Sequence, residues 1–330
     1  MVTYPGLRFA VRRLLLAVPT AFTVVALSFV LIHVSPGDPV TAIAGDGGNA
    51  AYYADVRARF GLDRSVGEQF VSYLGRLLHG DLGRSYLQGR PVRTLITERL
   101  SATLLLTGTA LLLSTVLGIG AGLFAASRRG RPGDVFVSGV SVLVFATPAF
   151  WLGQLAILWL SLRTGWFPVQ GMTNARVVST GWRAALDVAH HLALPVGVLA
   201  AQEVAAVARL LRTGLLTELE SAHVLMARAK GLPERSVYLR HALRRPLLPV
   251  LAIIGSRLGQ ILSGTVIIEI VFGWPGVGRL LLTSMQSRDI PVVLGVFLLT
   301  AATVIVANLI VELASARLDP RIVLRRHGRT

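Results

Sequence analysis

The stretch MARAKGLPERSVYLRHALRRPLLPV, residues 226–250, lies between two long apolar runs and decides how the rest of the chain is interpreted. It carries Lys230, the only lysine among 330 residues, together with five arginines at 228, 235, 240, 244 and 245. Gly231 and Pro233 interrupt it near its centre. A short basic segment between apolar runs is typical of a loop that joins two membrane-spanning helices.

The composition places the chain in a membrane. Of its residues, 53% are hydrophobic and 15% are charged, whereas a soluble domain has about 25% charged residues. The net charge of +16 would also fit a nucleic-acid-binding protein, but the basic residues are dispersed between apolar runs, so we expect no nucleic acid partner. The absence of cysteine excludes disulfides and thiolate metal sites.

The apolar runs predict an all-α polytopic membrane protein with six transmembrane helices, because each run has roughly the 20 residues that cross a bilayer. The first run, LLLAVPTAFTVVALSFVLIHV, has 21 uncharged residues, which exceeds the roughly 7–15 of a signal peptide. It therefore favours an uncleaved first helix. The predicted spans are 12–34, 101–126, 135–162, 192–211, 247–270 and 290–313.

Basic residues between the spans predict the orientation. The segments 1–13, 127–133, 209–249 and 314–330 hold 3, 3, 8 and 5 of them, whereas 163–190 and 271–290 hold 3 and 2. We therefore expect both termini in the cytoplasm. The predicted organisation is a first helix within 1–34, an outer loop region 35–99, a five-helix core 100–313 with an inner loop 212–246, and a cytoplasmic tail 314–330.

The outer region 35–99 contains two further helical patterns. VGEQFVSYLGRLLHG has apolar residues at helical spacing, which indicates one buried face. In GRPVRTLITERL, Pro91 stands where a helix would start, and Val92, Leu95 and Ile96 share one side. We expect this second helix to lie along the membrane surface before the second span. A small cap packed on the spans and a substrate-binding role both fit the region.

No pattern in the sequence indicates an enzyme. It has no H-E-x-x-H zinc motif and no Gly-x-Ser-x-Gly nucleophile motif. The phosphate-binding loop requires a lysine after a glycine, but Lys230 follows Ala229. We therefore expect no cofactor in this chain, and ATP-driven transport would need ATP and Mg²⁺ to be bound by another polypeptide.

Four polar or aromatic residues are candidates for a translocation path. Glu203 lies within span four and Arg257 within span five, where they form either a structural ion pair or a substrate contact. Glu269 lies near the outer end of span five, where it could also reach water. Trp274, in the outer segment 271–291, suits the membrane interface. In that segment a short helix is expected to have its apolar side at Leu281, Leu282 and Met285.

Glycines at small-xxx-small spacing predict close helix approach. The pairs are Gly118 with Gly122 in span two and Gly255 with Gly259 in span five. In the inner loop, the residues predict a helix from Leu215 to Lys230, a stop at Gly231, and a second helix from Pro233 to about Arg245.

With these motifs in view, the chain resembles the inner-membrane permeases of binding-protein-dependent ABC importers, in the dipeptide/oligopeptide/nickel family. VSPGDPV, ARAKGL with RHALRRPLLPV, VFGWPGVGRLL with RDIPVV, and LDPR carry the resemblance over nearly the whole chain. It implies the type I importer architecture and a coupling helix that docks into an ATPase subunit. The residues that would couple to the ATPase are Ala227, Arg228, Ala229, Lys230, Gly231 and Leu232, flanked by Arg240, His241, Ala242 and Pro249.

The resemblance also implies the partners and the mechanism. The implied partners are a second homologous permease, two ATPase subunits, an extracytoplasmic substrate-binding protein and the lipid bilayer. The implied mechanism is alternating access. One departure is that Ala222, His223 and Leu225 stand where many relatives have an acidic–aromatic pair followed by a basic residue. The expected cargo is a di- or oligopeptide, with nickel or another small solute as the alternative. A proton-coupled carrier using Glu203 and Glu269 is the competing class, and a membrane-embedded enzyme is the weakest reading.

Overall fold

The computed structural model describes residues 5–34, 40, 49–174, 176, 180–259 and 265–318. Among these residues, Arg84 and Pro91 form an isolated β-bridge. The regular elements that the structure describes are helical. They are α1 (Pro5–Val34), α2 (Ala50–Phe60), α3 (Val66–Leu78), α4 (Val92–Ser127), α5 (Pro132–Ala146), α6 (Ala149–Ala156, continued by a π-helix Ile157–Arg163), α7 (Trp182–Leu219), α8 (Ala222–Ala229), α9 (Glu234–Ser236, continued by a π-helix Val237–Ala242), α10 (Arg244–Gly259), α11 (Val266–Val271), α12 (Val277–Gln286) and α13 (Ile290–Leu318).

Three of these helices are long and apolar enough to cross a membrane. They are Val92–Ser127, Trp182–Leu219 and Ile290–Ile310, and the bent pair Pro132–Ala146 with Ala149–Arg163 makes a fourth if it counts as one span. Within α1, Val18–Leu31 is a shorter apolar helix. Residues 260–264 of the predicted fifth span lie outside the described residues. The membrane-spanning character is confirmed, and the count of six stays a prediction.

The contacts divide the chain into two units, of which the first comprises Met1–Thr103 and Pro275–Leu309. Here α3 starts at a capping box, in which Ser65 and Glu68 bond each other's backbone N–H groups. Its apolar face, with Phe70, Tyr73, Leu74 and Leu77, packs on Val25 and Phe29 of α1 and Ile290 and Leu294 of α13. The predicted amphipathic helix is confirmed, and it forms a packed layer on α1 and α13.

Helix α4 begins at Val92, directly after Pro91, as predicted. Val92, Leu95 and Ile96 are buried and pack against α12 and α13. The expectation of a separate helix along the membrane surface is wrong, because α4 continues unbroken for 36 residues. Residues 92–127 contain no proline, so nothing in this stretch forces the helix to end.

The short helix α12 turns inward a face that only partly matches the predicted one, since Leu281 packs, partly buried, against residues of α4 and α13. Val277, Leu280 and Ser284 are buried, whereas Met285 is 52% exposed. The α12 N-terminus is bonded to α4, since Val277 N–H donates to Thr103 Oγ1 at 2.8 Å. The buried side of α12 is therefore centred on Leu280 rather than Leu282.

Asp289 fixes the turn between α12 and α13. Its carboxylate is buried and accepts hydrogen bonds from the Ser85 hydroxyl and, at 3.0 Å, from the Tyr86 backbone N–H. The loop 81–91 is thereby tied to a residue two hundred positions away in sequence. No local pattern in the sequence marks Asp289, because only the fold brings its partners to it.

The second unit comprises Leu104–Trp274 and Ile310–Thr330. In it α4 and α7 approach closely at the first predicted glycine pair. A Cβ atom built on Gly122 would lie 2.9 Å from the Ala208 carbonyl oxygen, and one on Gly118 would lie 2.7 Å from Val207 Cβ. The small-xxx-small prediction is therefore confirmed for this pair. For Gly255 and Gly259, the surroundings lie outside the described residues.

The predicted third span, 135–162, is not one helix. It breaks between α5 and α6 and bends by 104°. Pro148 has no N–H to donate and excludes helical backbone at the residue before it, and Thr147 is extended at φ −90° and ψ 129°. The Thr147 carbonyl accepts a hydrogen bond from Gln202 Nε2 of α7 at 2.7 Å, which satisfies a backbone group that the break leaves without a helical partner.

Candidate functional site

The inner loop begins later than the sequence predicted. The expected helix from Leu215 to Lys230 is wrong as a single element, because α7 runs on to Leu219 and α8 begins at Ala222. Ser221 lies between them in extended conformation, with its hydroxyl donating to the Glu218 carbonyl at 2.6 Å. Serine favours such a boundary because its side chain competes for backbone hydrogen bonds.

The predicted stop at Gly231 is confirmed. Gly231 has φ +74°, and its N–H bonds the Arg228 carbonyl at 2.9 Å while Leu232 N–H reaches the Ala227 carbonyl. This is the Schellman pattern of helix ends. Helix α9 then starts after Pro233, with Glu234 in its first turn, so the predicted helix–turn–helix is present.

An ion pair closes the turn. Arg228 Nε and Nη2 donate to the two carboxylate oxygens of Glu234 at 2.9 and 3.2 Å. Such two-point pairing is geometrically specific. It joins the last turn of α8 to the first turn of α9 and thereby fixes the path of residues 229–233.

The α8 helix has two distinct faces. Val224 and Ala227 are buried in a cluster with residues of α7, α9 and α10. The outward face carries Ala222, Leu225, Met226 and Ala229, all exposed and spaced i, i+3, i+4, i+7. Leu225 and Met226 are 51% and 59% exposed. This face is therefore an apolar stripe in a basic segment, and we call it the α8 stripe.

The residues that the resemblance assigned to ATPase coupling fall on both faces. Ala227 is buried and Arg228 is held by Glu234, whereas Ala229, Lys230, Gly231 and Leu232 are exposed. Sequence analysis missed Leu225 and Met226 as surface residues. The signal that could have identified them is the apolar pair Leu225 and Met226, which lies four and three residues before Ala229 and so on the same helix face.

Glu218 ties α8 to its neighbours. Its Oε1 lies 3.1 Å from Arg245 Nη1 of α10 and 3.2 Å from His223 Nε2 of α8. The Glu218 side chain is 14% exposed. His223, noted as a departure from the family pattern, thus bonds within the chain, and the ends of α7, α8 and α10 meet at one carboxylate.

The structure brings Glu203 and Arg257 together. Arg257 Nε of α10 lies 3.2 Å from Glu203 Oε2 of α7. A second pair in the same unit joins Arg212 of α7 to Asp134 of α5, with both carboxylate oxygens engaged at 2.5 and 2.7 Å. The sequence did not single out this second pair.

Glu269 and Trp274 are both buried. Glu269 is 0% exposed, and the Thr265 hydroxyl donates to it at 3.4 Å. The expectation that Glu269 reaches water is wrong. Trp274 is also 0% exposed, so its expected interface position is wrong as well. Gly273, at φ +61°, turns the backbone so that Trp274 N–H bonds the Glu269 carbonyl at 2.8 Å, and the indole points inward.

Among the described residues, no group of three or more His, Asp or Glu side chains is placed to hold a metal ion. The site therefore consists of charged pairs, a two-faced helix and tight turns. Such an arrangement can bind a partner and transmit motion, because packed elements shift between discrete positions.

Comparison with known proteins defines the class. Residues 118–324 match the family described as binding-protein-dependent transport system inner membrane component, and residues 6–107 match the family of its N-terminal part. A solved chain from an amino acid ABC transporter with histidines shares the fold, with a TM-score of 0.52, 16% identity, and 68% of this chain and 94% of that chain covered.

The chain belongs to this family of inner membrane components of binding-protein-dependent transport systems. It is similar to the dipeptide transport system permease protein DppB of Escherichia coli (strain K12), at 35% identity over 96% of this chain and 98% of that one. It is also similar to the di/tripeptide transport system permease protein DppB of Pseudomonas aeruginosa (strain UCBPP-PA14), at 37% identity over 98% and 100%. The expected resemblance to peptide permeases is confirmed.

Proposed function

We propose that this chain is the permease subunit of an ATP-driven importer and forms half of a translocation pathway for di- or oligopeptides. A second homologous permease would form the other half, two ATPase subunits would bind ATP and Mg²⁺, and an extracytoplasmic binding protein would deliver the peptide. The names of its relatives support the cargo. Both termini would lie in the cytoplasm of a bacterial cell, as the distribution of basic residues predicts.

The observation that carries the proposal is the α8 stripe with the turn that follows it. An apolar helix face exposed in an aqueous loop is a docking surface, because solvent disfavours it unless a partner covers it. Lys230 and Arg235 are exposed beside the stripe, so the partner groove needs apolar walls and an acidic rim. We assign this groove to the ATPase subunit.

Motion at α8 would reach the spans through two connections. The buried face of α8 shares a cluster with Leu215 of α7 and Val250 of α10, and Glu218 joins the same three helices. Displacing α8 therefore displaces α7 and α10, which carry Glu203 and Arg257. This is the step that alternating access requires.

The test compares two glycines with the same φ angle. Gly231 and Gly80 both have φ +74° and no atom within 4 Å of an added Cβ. Replacing either with valine imposes a conformational penalty of about 1–2 kcal/mol, but only Gly231→Val alters the coupling turn. In the assembled complex, ATP hydrolysis stimulated by peptide-loaded binding protein should be abolished by Gly231→Val and kept by Gly80→Val.

A loss of stimulated ATP hydrolysis can be distinguished from misfolding of the variant. Copurification with the second permease reports whether each variant assembles, and both should. Full stimulation in assembled Gly231→Val would show that this turn does not couple ATP hydrolysis to transport, and the proposal would be abandoned.

A further inference from the structure

The Glu203–Arg257 pair lies where charges are costly. Glu203 is at the centre of the predicted span 192–211, and Arg257 belongs to α10, in the predicted span 247–270. Ionisable side chains at membrane depth pair with one another or face an aqueous path rather than lipid. The question is whether this pair only holds two helices together.

The neighbouring pair shows what a purely structural contact looks like in this chain. The Asp134 side chain is 4% exposed and also accepts hydrogen bonds from Gly130 N–H at 3.0 Å and Ser138 Oγ at 3.4 Å. Arg212 covers both of its oxygens. Every lone pair direction of that carboxylate is thus used inside the protein, and no room remains for a ligand.

The Glu203–Arg257 pair differs in the length of its contact and in its exposure. Its 3.2 Å contact is longer than the 2.5 Å contact between Arg212 and Asp134, and the side chains of Arg257 and Glu203 are 40% and 25% exposed. Two charges that are partly uncovered at membrane depth do not face lipid. They therefore lie on a side of the chain that a second permease or an aqueous path would cover.

We propose that Glu203 and Arg257 are the peptide-binding site of the translocation pathway. The Arg257 guanidinium binds the terminal carboxylate of the peptide, for which its planar fork is suited, and Glu203 binds the terminal ammonium group. Without peptide the two side chains neutralise each other. This assignment rests on the proposed function and narrows its cargo.

The pair must open before it can bind both termini of a peptide. The termini of an extended dipeptide are roughly 7 Å apart, so the 3.2 Å contact must open for both termini to bind. The two residues stand on separate helices, α7 and α10, and both helices are joined to α8. Opening the pair is therefore linked to the movement that ATP hydrolysis drives. Because every dipeptide has both termini, the site accepts many side-chain sequences.

The experiment uses the whole complex in liposomes, with the second permease, the ATPases and the binding protein. Uptake of labelled dialanine and hydrolysis of ATP are measured in the same vesicles. The variants are Glu203→Gln, Arg257→Gln and the double variant. The control is Glu98→Gln, which removes the carboxylate of an exposed ion pair with Arg90.

Each single variant should lower the dialanine transported per ATP by about tenfold or more, the effect of losing one charged hydrogen bond. ATP hydrolysis stimulated by the loaded binding protein should stay within about twofold of wild type, since α8 is intact. Glu98→Gln should match wild type in both. The double variant should be no better than either single variant.

Two results would contradict the assignment of Glu203 and Arg257 as the peptide-binding site. One is a normal transport ratio in the single variants. The other is recovery in the double variant, because a structural pair can be replaced by two neutral amides that bond each other, whereas a peptide site cannot. A wild-type complex that takes up no dialanine with ATP and binding protein present would instead contradict the proposed function itself.

Discussion

Replacing Gly122 by alanine tests how closely α4 and α7 approach. The added Cβ would lie 2.9 Å from the Ala208 carbonyl oxygen and 2.9 Å from Leu211 Cβ. Ordinary contacts of a Cβ atom are 3.4–4 Å, so the helices must separate by several tenths of an ångström. A backbone oxygen cannot turn away as a flexible side chain can.

The expected cost follows from this overlap. Adding a methyl group to a closely packed interior costs about 1–3 kcal/mol, and the rigid carbonyl places Gly122→Ala in the upper part of that range. The matched control is Gly120→Ala on the same helix, because an added Cβ there meets nothing within 4 Å. That change should leave stability unchanged or raise it by up to about 1 kcal/mol, since alanine is the better helix former.

The assay is unfolding of the purified chain in mixed micelles, with the free energy of unfolding taken from titration with a denaturing detergent. Gly122→Ala should unfold at a lower detergent fraction than wild type, and Gly120→Ala should not. Equal stability of the two variants would refute the close approach of α4 to α7.

Three further changes test the first unit. The Tyr73 hydroxyl has no hydrogen-bond partner among the described residues, so Tyr73→Phe should raise the free energy of unfolding by about 1 kcal/mol, and a loss of that size would show a bond there. Burial raises the pKa of Tyr73 and of Tyr86 from 10 to about 12 each. Above pH 10 the unfolded chain therefore releases protons that the native state still holds. The free energy of unfolding is thus at its full value below pH 10 and falls between pH 10 and 12. Tyr73→Phe should reduce that fall in an alkaline titration, and an unchanged fall would contradict burial of the phenol. Asp289→Asn weakens the bonds from Ser85 and Tyr86 and should speed hydrogen exchange of the Tyr86 amide at least about tenfold, whereas Asp55→Asn, on an exposed helical pair, should leave that amide unchanged.

The sequence predicted well where one local signal dominates. Pro91 marked the start of α4, Gly231 marked the end of α8, and Gly118 with Gly122 marked a close helix contact. Each of these depends on backbone geometry or on residue size. Such constraints act locally, so a sequence displays them directly.

It predicted poorly where distant residues decide. Glu269 was expected to reach water because it lies near a span end, but the turn at Gly273 buries it together with Trp274. The break at Pro148 was not recognised, because apolar composition is the same on both sides of it. Ser85 and Asp289 are separated by two hundred residues, and no sequence pattern shows that they meet.

The candidate site could be predicted from the sequence only in part. The resemblance assigned a coupling role to residues 227–232, but only the fold separates the buried Ala227 from the exposed α8 stripe. Likewise, the sequence left open whether Glu203 and Arg257 meet. Their pairing depends on the register of α7 against α10, which a single sequence does not encode in any local pattern.

The proposed function requires that an ATPase drives peptide transport by this chain. The direct measurement is uptake of labelled dialanine into liposomes that contain either the complete complex or this chain alone, with ATP or with a proton gradient. We expect uptake by the complete complex with ATP and binding protein, and none by the chain alone under the gradient. Accumulation by the chain alone, driven by protons, would contradict it.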